Sequence, residues 1–148
     1  MKELILAFLG SFFPAVLFNI ERKNLIWAGL SGAIGWGIYV LLYKITGGVV
    51  MAIFVGAVCV GIYGEAMARI LKTPASVFTV PGIFPLVPGI TAYNTVLAIV
   101  EDRIRDAYDK GIETIASAGA IAFGIILSTA VFKFFKQGKM AKTMDGEE

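Results

Sequence analysis

Charged residues in this chain are gathered into short clusters, and five long uncharged runs lie between the clusters. The runs cover residues 4–20, 24–43, 45–64, 73–100 and 114–132. A soluble domain would instead carry charges along the outer face of each helix or strand. Because a helix needs about 20 apolar residues to cross a bilayer, each run is long enough for one crossing. The pattern predicts an all-α polytopic membrane protein with about five transmembrane helices in the lipid bilayer.

The polar clusters set the bounds of the predicted helices. The five predicted spans cover residues 4–20, 25–43, 49–67, 77–100 and 114–135, within a single transmembrane domain over residues 1–135. Pro14 falls inside the first span and is expected to interrupt it. In the charged segment 101–113, Ile104, Tyr108 and Ile112 repeat at helical spacing, which predicts a short amphipathic helix on the membrane surface. Residues 136–148 are predicted to form a polar cytoplasmic tail.

Composition narrows the chemistry that such a membrane protein can perform. The chain has 148 residues, 57% of them hydrophobic, a net charge of +2, one cysteine and no histidine. Without histidines, a cysteine pair or acidic residues at ligand spacing, the sequence predicts neither a metal site nor a cofactor. No nucleophile with a general base is visible, so an enzyme is not expected. The small net charge argues against nucleic acid as a partner.

The distribution of lysine and arginine predicts an orientation. With five spans, eight of these residues fall on one face and five on the other. The larger set is Arg22, Lys23, Arg69, Lys72, Lys133, Lys136, Lys139 and Lys142. Because positive loops stay in the cytoplasm, we expect an external N-terminus and a cytoplasmic C-terminus in the cell (inner) membrane.

The fourth run contains the most informative motif, at residues 80–89, where three prolines and two glycines fall within ten residues. Each proline removes a backbone donor and costs about 3 kcal/mol inside a helix. Such a break is tolerated at membrane depth only if it is buried in protein or lines a cavity. An extramembrane loop is the alternative, but the flanking residues are too apolar for it. The sequence predicts a broken fourth helix and leaves open whether the run crosses or re-enters.

The broken helix supplies the candidate substrate site. The half-helix that begins near Ile90 would present free N–H groups and a positive dipole end, which suit a carboxylate. Hydroxyl and amide side chains follow directly in an otherwise apolar helix. The candidate substrate-pathway residues are Pro81, Gly82, Pro85, Pro88, Gly89, Thr91, Tyr93 and Asn94.

Two ionisable residues, Glu65 and Arg69, lie one helical turn apart near the end of the third span. An ionisable residue inside a span is by default a functional candidate, so Glu65 is a candidate proton-coupling carboxylate. The alternative is a structural pair at the membrane edge with Arg69 reaching towards the interface.

Small residues predict close helix contacts. Ala116, Ala120, Gly124 and Ser128 form one row on the last span. In lipid, such residues let helices approach closely. Packing within the bundle is the simple interpretation, and the number of small faces also suggests a partner or a homo-oligomer.

The motif at residues 80–89 resembles the Val-Pro-Gly-Ile-x-Pro-Leu-Val-Pro-Gly signature of the threonine/serine exporter (ThrE-type) family. The whole chain is similar to the small, stand-alone YjjB-like subunit of that family, including Pro74 and Ala75 before the motif. Phe84 departs from the usual aliphatic residue, and the charged tail is longer.

The resemblance implies one subunit of a secondary exporter of small polar metabolites, either threonine and serine or dicarboxylates such as succinate. It also implies a larger partner subunit that carries the other domain of the ThrE family. The alternative function is a non-transporting membrane scaffold that assembles with a partner.

Overall fold

Apolar runs bounded by polar turns fold into helices throughout the described chain. The structure is a computed structural model that describes residues 2–144. Its helices are α1 (Lys2–Leu17), α2 (Arg22–Thr46), α3 (Val49–Leu71), α4 (Ser76–Ile83), α5 (Gly89–Val100) and α6 (Ile104–Met144), with a 3-10 turn at Phe84–Leu86. The predicted all-α fold is confirmed.

Within residues 2–144, three helices are long and apolar enough to cross a membrane. They are α2, α3 and the part of α6 from Ile104 to Phe134, and α4 with α5 makes a fourth crossing if the bent pair counts as one span. The protein is therefore a multi-pass membrane protein. Helix α1 has 16 residues, or about 24 Å, which is short of a hydrocarbon core of about 30 Å. A fifth crossing by α1 stays a prediction.

Local sequence explains where the helices end. Gly47 ends α2 in the left-handed conformation, with φ 68° and its N–H bonded to the Tyr43 carbonyl. Lys72 ends α3 in the same conformation, and Pro74 follows in a position where it cannot continue a helix. Pro14 lies inside α1 without ending it. The predicted interruption at Pro14 is therefore wrong.

Helix α6 is longer than the sequence predicts. The charged segment forms its first turns instead of a separate surface helix. Two i,i+3 ion pairs support these turns, Arg103 with Asp106 at 2.7 Å and Lys110 with Glu113 at 3.3 Å. At its other end α6 continues to Met144, into the segment predicted as a polar tail, and residues 145–148 of that tail lie outside the described residues.

Helices α3 and α6 run parallel. The rings of Phe54 and Phe123 are 6.2 Å apart, and further along both helices Arg69 Nη2 donates to the Phe132 carbonyl at 3.4 Å. Because α3 and α6 point the same way, the intervening run must carry the chain back from the end of α3 to the level where α3 begins. The run therefore traverses the bundle and does not turn back halfway.

The bundle has two ends, each defined by the connections it carries. The Lys44 end carries the start of α1, the α2–α3 turn at Lys44 and the α5–α6 connection. The Lys72 end carries the α1–α2 turn, the α3–α4 connection at Lys72 and the later part of α6. At the Lys72 end, Ala15, Ala28, Met67 and Phe78 form a buried cluster.

Three close contacts share one form, in which a serine side chain occupies the space that a glycine leaves open. Ser11 of α1 lies against Gly32 of α2, Ser31 of α2 lies against Gly82 of α4, and Ser128 of α6 lies against Gly61 of α3. All three serines are fully buried or nearly so. Gly124 likewise packs on Ala57. Two members of the predicted small-residue row on the last span, Gly124 and Ser128, therefore make helix contacts inside the bundle.

Candidate functional site

The break in the fourth run lies near the middle of the bundle. Leu86, at its centre, is 2% exposed. A Cβ at Gly35 would lie 3.5 Å from its side chain, and a Cβ at Gly56 would lie 3.4 Å away. Gly35 is midway along α2, and Gly56 is in the first half of α3. Leu86 is therefore buried in protein between two long helices, whereas Phe84, Val87 and Ile90 on either side of it are exposed.

Prolines determine how the backbone is bonded through the break. Pro85 and Pro88 have no N–H to donate. The chain is instead held by short-range bonds, from the Val87 N–H to the Phe84 carbonyl at 3.3 Å and from the Gly89 N–H to the Val87 carbonyl at 2.8 Å. These turns redirect the chain, so that α5 is inclined by 48° to the segment before it. After the break the chain leaves α2 and α3, and α5 packs against α6.

Two of the candidate residues, Pro81 and Gly82, serve packing. Both are buried where α4 lies against α2 and α3. A Cβ at Gly82 would overlap Ser31 and lie 2.8 Å from Val60. Glycine is thus needed at this position to let α4 approach α2.

A cavity of about 180 Å³ lies beside the break, and we call it the break cavity. Four of the candidate residues line it, namely Pro85, Pro88, Gly89 and Thr91. The other lining residues are Trp36 and Tyr39 from α2, Val49 and Ile53 from α3, and Leu86, Val87 and Ile90.

The N-terminus of α5 opens onto the break cavity. Its preceding residue, Pro88, makes no side-chain cap. The Gly89 N–H already donates to the Val87 carbonyl. Ile90 and Thr91 of the same first turn also line the cavity, and the first N–H groups of a helix have no partner within the helix. Such a helix end carries a partial positive charge and attracts anionic groups.

The last two candidates, Tyr93 and Asn94, lie apart from the break cavity. Tyr93 is 66% exposed. Asn94 lines a separate cavity of about 530 Å³ at the Lys44 end, together with Arg103, Asp106 and Lys110. In this cavity the Arg103 guanidinium donates hydrogen bonds to Glu101 and Asp106. These bonds, the one to Glu101 more than the one to Asp106, raise the pKa of Arg103 above its usual value. The structure therefore does not bring Tyr93 and Asn94 into one site with Thr91.

Glu65 and Arg69 do not form the structural pair that was the alternative to a coupling role. Among the described side chains, Glu65 has no ion pair. The Arg69 guanidinium turns towards α6, where it lies 4.8 Å above the centre of the Phe132 ring. Glu65 is twelve residues beyond Ile53 of the break cavity, which is about 18 Å along α3.

Two residues near the break were not singled out from the sequence. Trp36 lines the break cavity and two others, of about 290 and 410 Å³, that lie between α1 and α2. Glu3 lines the latter two. Trp36 stands in the middle of α2, whereas Trp27 and Tyr43 stand near its ends as interface aromatics do. The position of Trp36 in the middle of α2 is the sequence signal that could have singled it out.

A family model described as "Threonine/Serine exporter, ThrE" matches residues 3–131. The matched part runs from the first turn of α1 into α6 and contains the whole break. No solved structure matches the chain.

Proposed function

Because the chain belongs to the threonine/serine exporter family, we propose that it is one subunit of a secondary exporter of small polar metabolites. The solute is threonine or serine, or a dicarboxylate such as succinate. A larger membrane subunit of the same family completes the transporter.

The break cavity is the observation that supports a transport site. All the proposed solutes carry a carboxylate, and the first turn of α5 offers that group free N–H donors and a positive dipole end. The cavity volume of about 180 Å³ equals that of about six water molecules, which suits a small metabolite. Half-helices broken near the bilayer midplane bind substrate in this way in other transporters.

The path of the fourth run supports a site that lies within a membrane-crossing segment. The run traverses the bundle between the parallel helices α3 and α6, and its bend of 48° leaves α5 advancing in broadly the same direction as α4. We therefore infer that the run crosses the bilayer. Its break then lies near the midplane, because Leu86 packs at the level of Gly35 in the middle of α2.

The two ends of the bundle support the proposed orientation. The larger lysine and arginine set lies at the Lys72 end, which we assign to the cytoplasm of the cell (inner) membrane. The Lys44 end and the N-terminus are then external. The break cavity is lined by Tyr39 and Val49, which lie towards the Lys44 end, so it faces the outer half of the membrane.

Proton coupling is proposed for Glu65, the ionisable residue in the second half of α3. Its distance of about 18 Å from the break cavity along α3 means that it would act through helix movement and not by touching the solute. Glu3 is the nearer carboxylate, since it lines the cavities next to Trp36.

Transport in vesicles tests the proposal directly. Uptake of radiolabelled threonine, serine and succinate is measured in inside-out vesicles that hold this chain, the larger subunit, or both. Uptake that needs both subunits and an ion gradient supports a two-component exporter and identifies its substrate class. Uptake with this chain alone would indicate a self-sufficient homo-oligomer. Assembly of both subunits without uptake of any of the three solutes would favour the scaffold function.

A further inference from the structure

Two neighbouring cavities between α1 and α2 differ in character. The cavity of about 410 Å³ lies at the Lys44 end, and its charged lining residues are Lys2, Glu3 and Lys44. The cavity of about 290 Å³ reaches further along α1, and apart from Glu3 its lining consists of Leu6, Ala7, Gly10, Trp36, Phe84 and Pro85. Because Glu3 and Trp36 line both cavities, the two adjoin. We call them together the α1–α2 groove, with a charged part and an apolar part.

The apolar part of the groove is open to the surroundings of the bundle. Leu6 and Phe84 on its walls are exposed. A Cβ on Gly10 would have no atom within 4 Å, so no described side chain fills the space beside this glycine. The core of a bilayer contains no water. The filling that suits this part of the groove is therefore hydrocarbon.

The groove has about the depth of one leaflet. Lys2 and Gly10 are eight residues apart, which is about 12 Å along a helix, and half of a hydrocarbon core is about 15 Å. The inner end of the groove lies near the break, because Ser11 packs against Gly32, whose Cβ position is 3.1 Å from Pro85. An acyl chain that enters beside Lys2 would therefore end at the break.

The charged part of the groove carries both signs of charge at the membrane edge. Lys2, Glu3 and Lys44 are exposed, and among the described side chains none of the three forms an ion pair. Basic pockets between transmembrane helices bind the phosphates of lipid head groups. A purely anionic head group would be repelled by Glu3. A head group that also carries an ammonium group would instead offer Glu3 a positive charge with N–H donors.

We propose that the α1–α2 groove binds one phospholipid of the phosphatidylethanolamine class. Its phosphate contacts Lys2 and Lys44, and its primary ammonium group contacts Glu3. One of its acyl chains lies along the apolar part as far as Phe84 and Pro85, where it supplies the contacts that the open walls lack. The inference concerns the membrane and not the transported solute, so it holds or fails independently of the proposed function.

Quenching of Trp36 fluorescence measures how often lipid occupies the groove. In the Trp27→Phe protein, Trp36 is the single tryptophan, and it lines both parts of the groove. The full chain is reconstituted in phosphatidylcholine vesicles with a rising fraction of a lipid whose acyl chains are brominated, because bromine quenches tryptophan on contact. The brominated lipid has an ethanolamine or a choline head group. Both have the same net charge, but choline has no N–H to donate.

The brominated ethanolamine lipid should reach half-maximal quenching at a fraction about two- to fivefold lower than the choline lipid, the range for one exposed ion pair. Equal fractions for the two lipids would mean that Trp36 meets only bulk lipid, and the inference would be wrong. A still lower fraction for brominated phosphatidylglycerol would mean that the lysines alone select an anionic lipid, which would also overturn the inference.

Head-group variants in the Trp27→Phe protein assign the preference to the charged part. Glu3→Gln should remove the preference for ethanolamine over choline. Lys2→Gln and Lys44→Gln should each raise the fraction of ethanolamine lipid needed by roughly fivefold. Lys23→Gln is the matched control, since Lys23 pairs with Glu21 at the other end of the bundle. Quenching curves in all three variants that equal the control curve would overturn the inference.

Gly10→Leu tests the position of the acyl chain. The leucine side chain has room at this position and would occupy the apolar part of the groove, so the preference for the ethanolamine lipid should be lost. Gly119→Leu is the control, because Gly119 is equally open and does not line the groove. Folding of both variants is checked by circular dichroism and size-exclusion chromatography. The same preference in folded Gly10→Leu and Gly119→Leu would mean that the lipid lies elsewhere, contrary to the inference.

Discussion

Gly82 of α4 lies directly against Ser31 of α2, and no space remains between them for a side chain. This contact determines how closely the segment before the break can approach α2. It also separates two roles within the proline-rich motif. Gly82 serves helix packing, whereas Gly89, which has no atom within 4 Å of its missing Cβ, faces open space at the start of α5.

Gly82→Ala should destabilise the protein. The added methyl group overlaps the Ser31 hydroxyl and presses on Val60, and overpacking of this kind costs about 1–3 kcal/mol. The midpoint of thermal unfolding in detergent should fall, and Ser31→Gly in the same chain should restore part of the loss. Gly119→Ala is the control, because nothing lies within 4 Å of that position. Equal unfolding midpoints for the two alanine variants would contradict the packing role.

Gly89→Leu should reduce transport without loss of assembly. The side chain has room to fit, but it stands at the α5 N-terminus on the wall of the break cavity. Flux in vesicles should fall at least tenfold, while the yield and unfolding midpoint stay close to those of Gly119→Leu. Flux equal to that of Gly119→Leu would remove the break cavity from the substrate pathway.

Cysteine labelling should show that the fourth run crosses the membrane. In a Cys59→Ala background, Ser76→Cys should react with an impermeant maleimide from the same side as Lys23→Cys. Asp109→Cys should react from the other side, together with Thr46→Cys. These pairs follow from the parallel arrangement of α3 and α6. Labelling of positions 76 and 109 from one side would mean that the run re-enters.

Glu65→Gln should abolish uptake driven by a pH gradient and leave solute exchange intact, if Glu65 carries the coupled proton. Because Glu65 is far from the break cavity, the Kd for solute should not change. Glu21→Gln is a control, since Glu21 is an exposed carboxylate paired with Lys23 at 2.7 Å. Full gradient-driven uptake in Glu65→Gln would exclude Glu65 from coupling, and Glu3→Gln would be the next variant to measure.

Features that depend on local sequence were predictable. The apolar runs predicted the helical bundle, and the prolines at 81, 85 and 88 predicted the broken fourth run, because chain composition and backbone donors act over a few residues. The continuity of α6 was missed, since the ion pairs of Arg103 and Lys110 stabilise turns that resembled a separate surface segment.

Features that depend on which helices are neighbours were not predictable. Sequence spacing placed Glu65 beside Arg69, but the position of α6 draws Arg69 to Phe132 instead. Helix periodicity gives Trp36 a face on α2, but only the placement of the break shows that this face meets Pro85. Tyr93 and Asn94 follow Thr91 closely in sequence, yet Tyr93 is exposed and Asn94 lines a different cavity.

The serine–glycine contacts hold neighbouring helices in register. Each serine occupies the space that a glycine leaves on the facing helix, as Ser11 does at Gly32, Ser31 at Gly82 and Ser128 at Gly61. Val60 of α3 fills the space at Gly35 of α2 in the same way, so α1, α2, α3, α4 and α6 are all held in register by close contacts at glycines. No side chain packs into the space at Gly89, at the start of α5. Among the described glycines, none makes so close a contact with α5, whose first turn forms part of the wall of the break cavity.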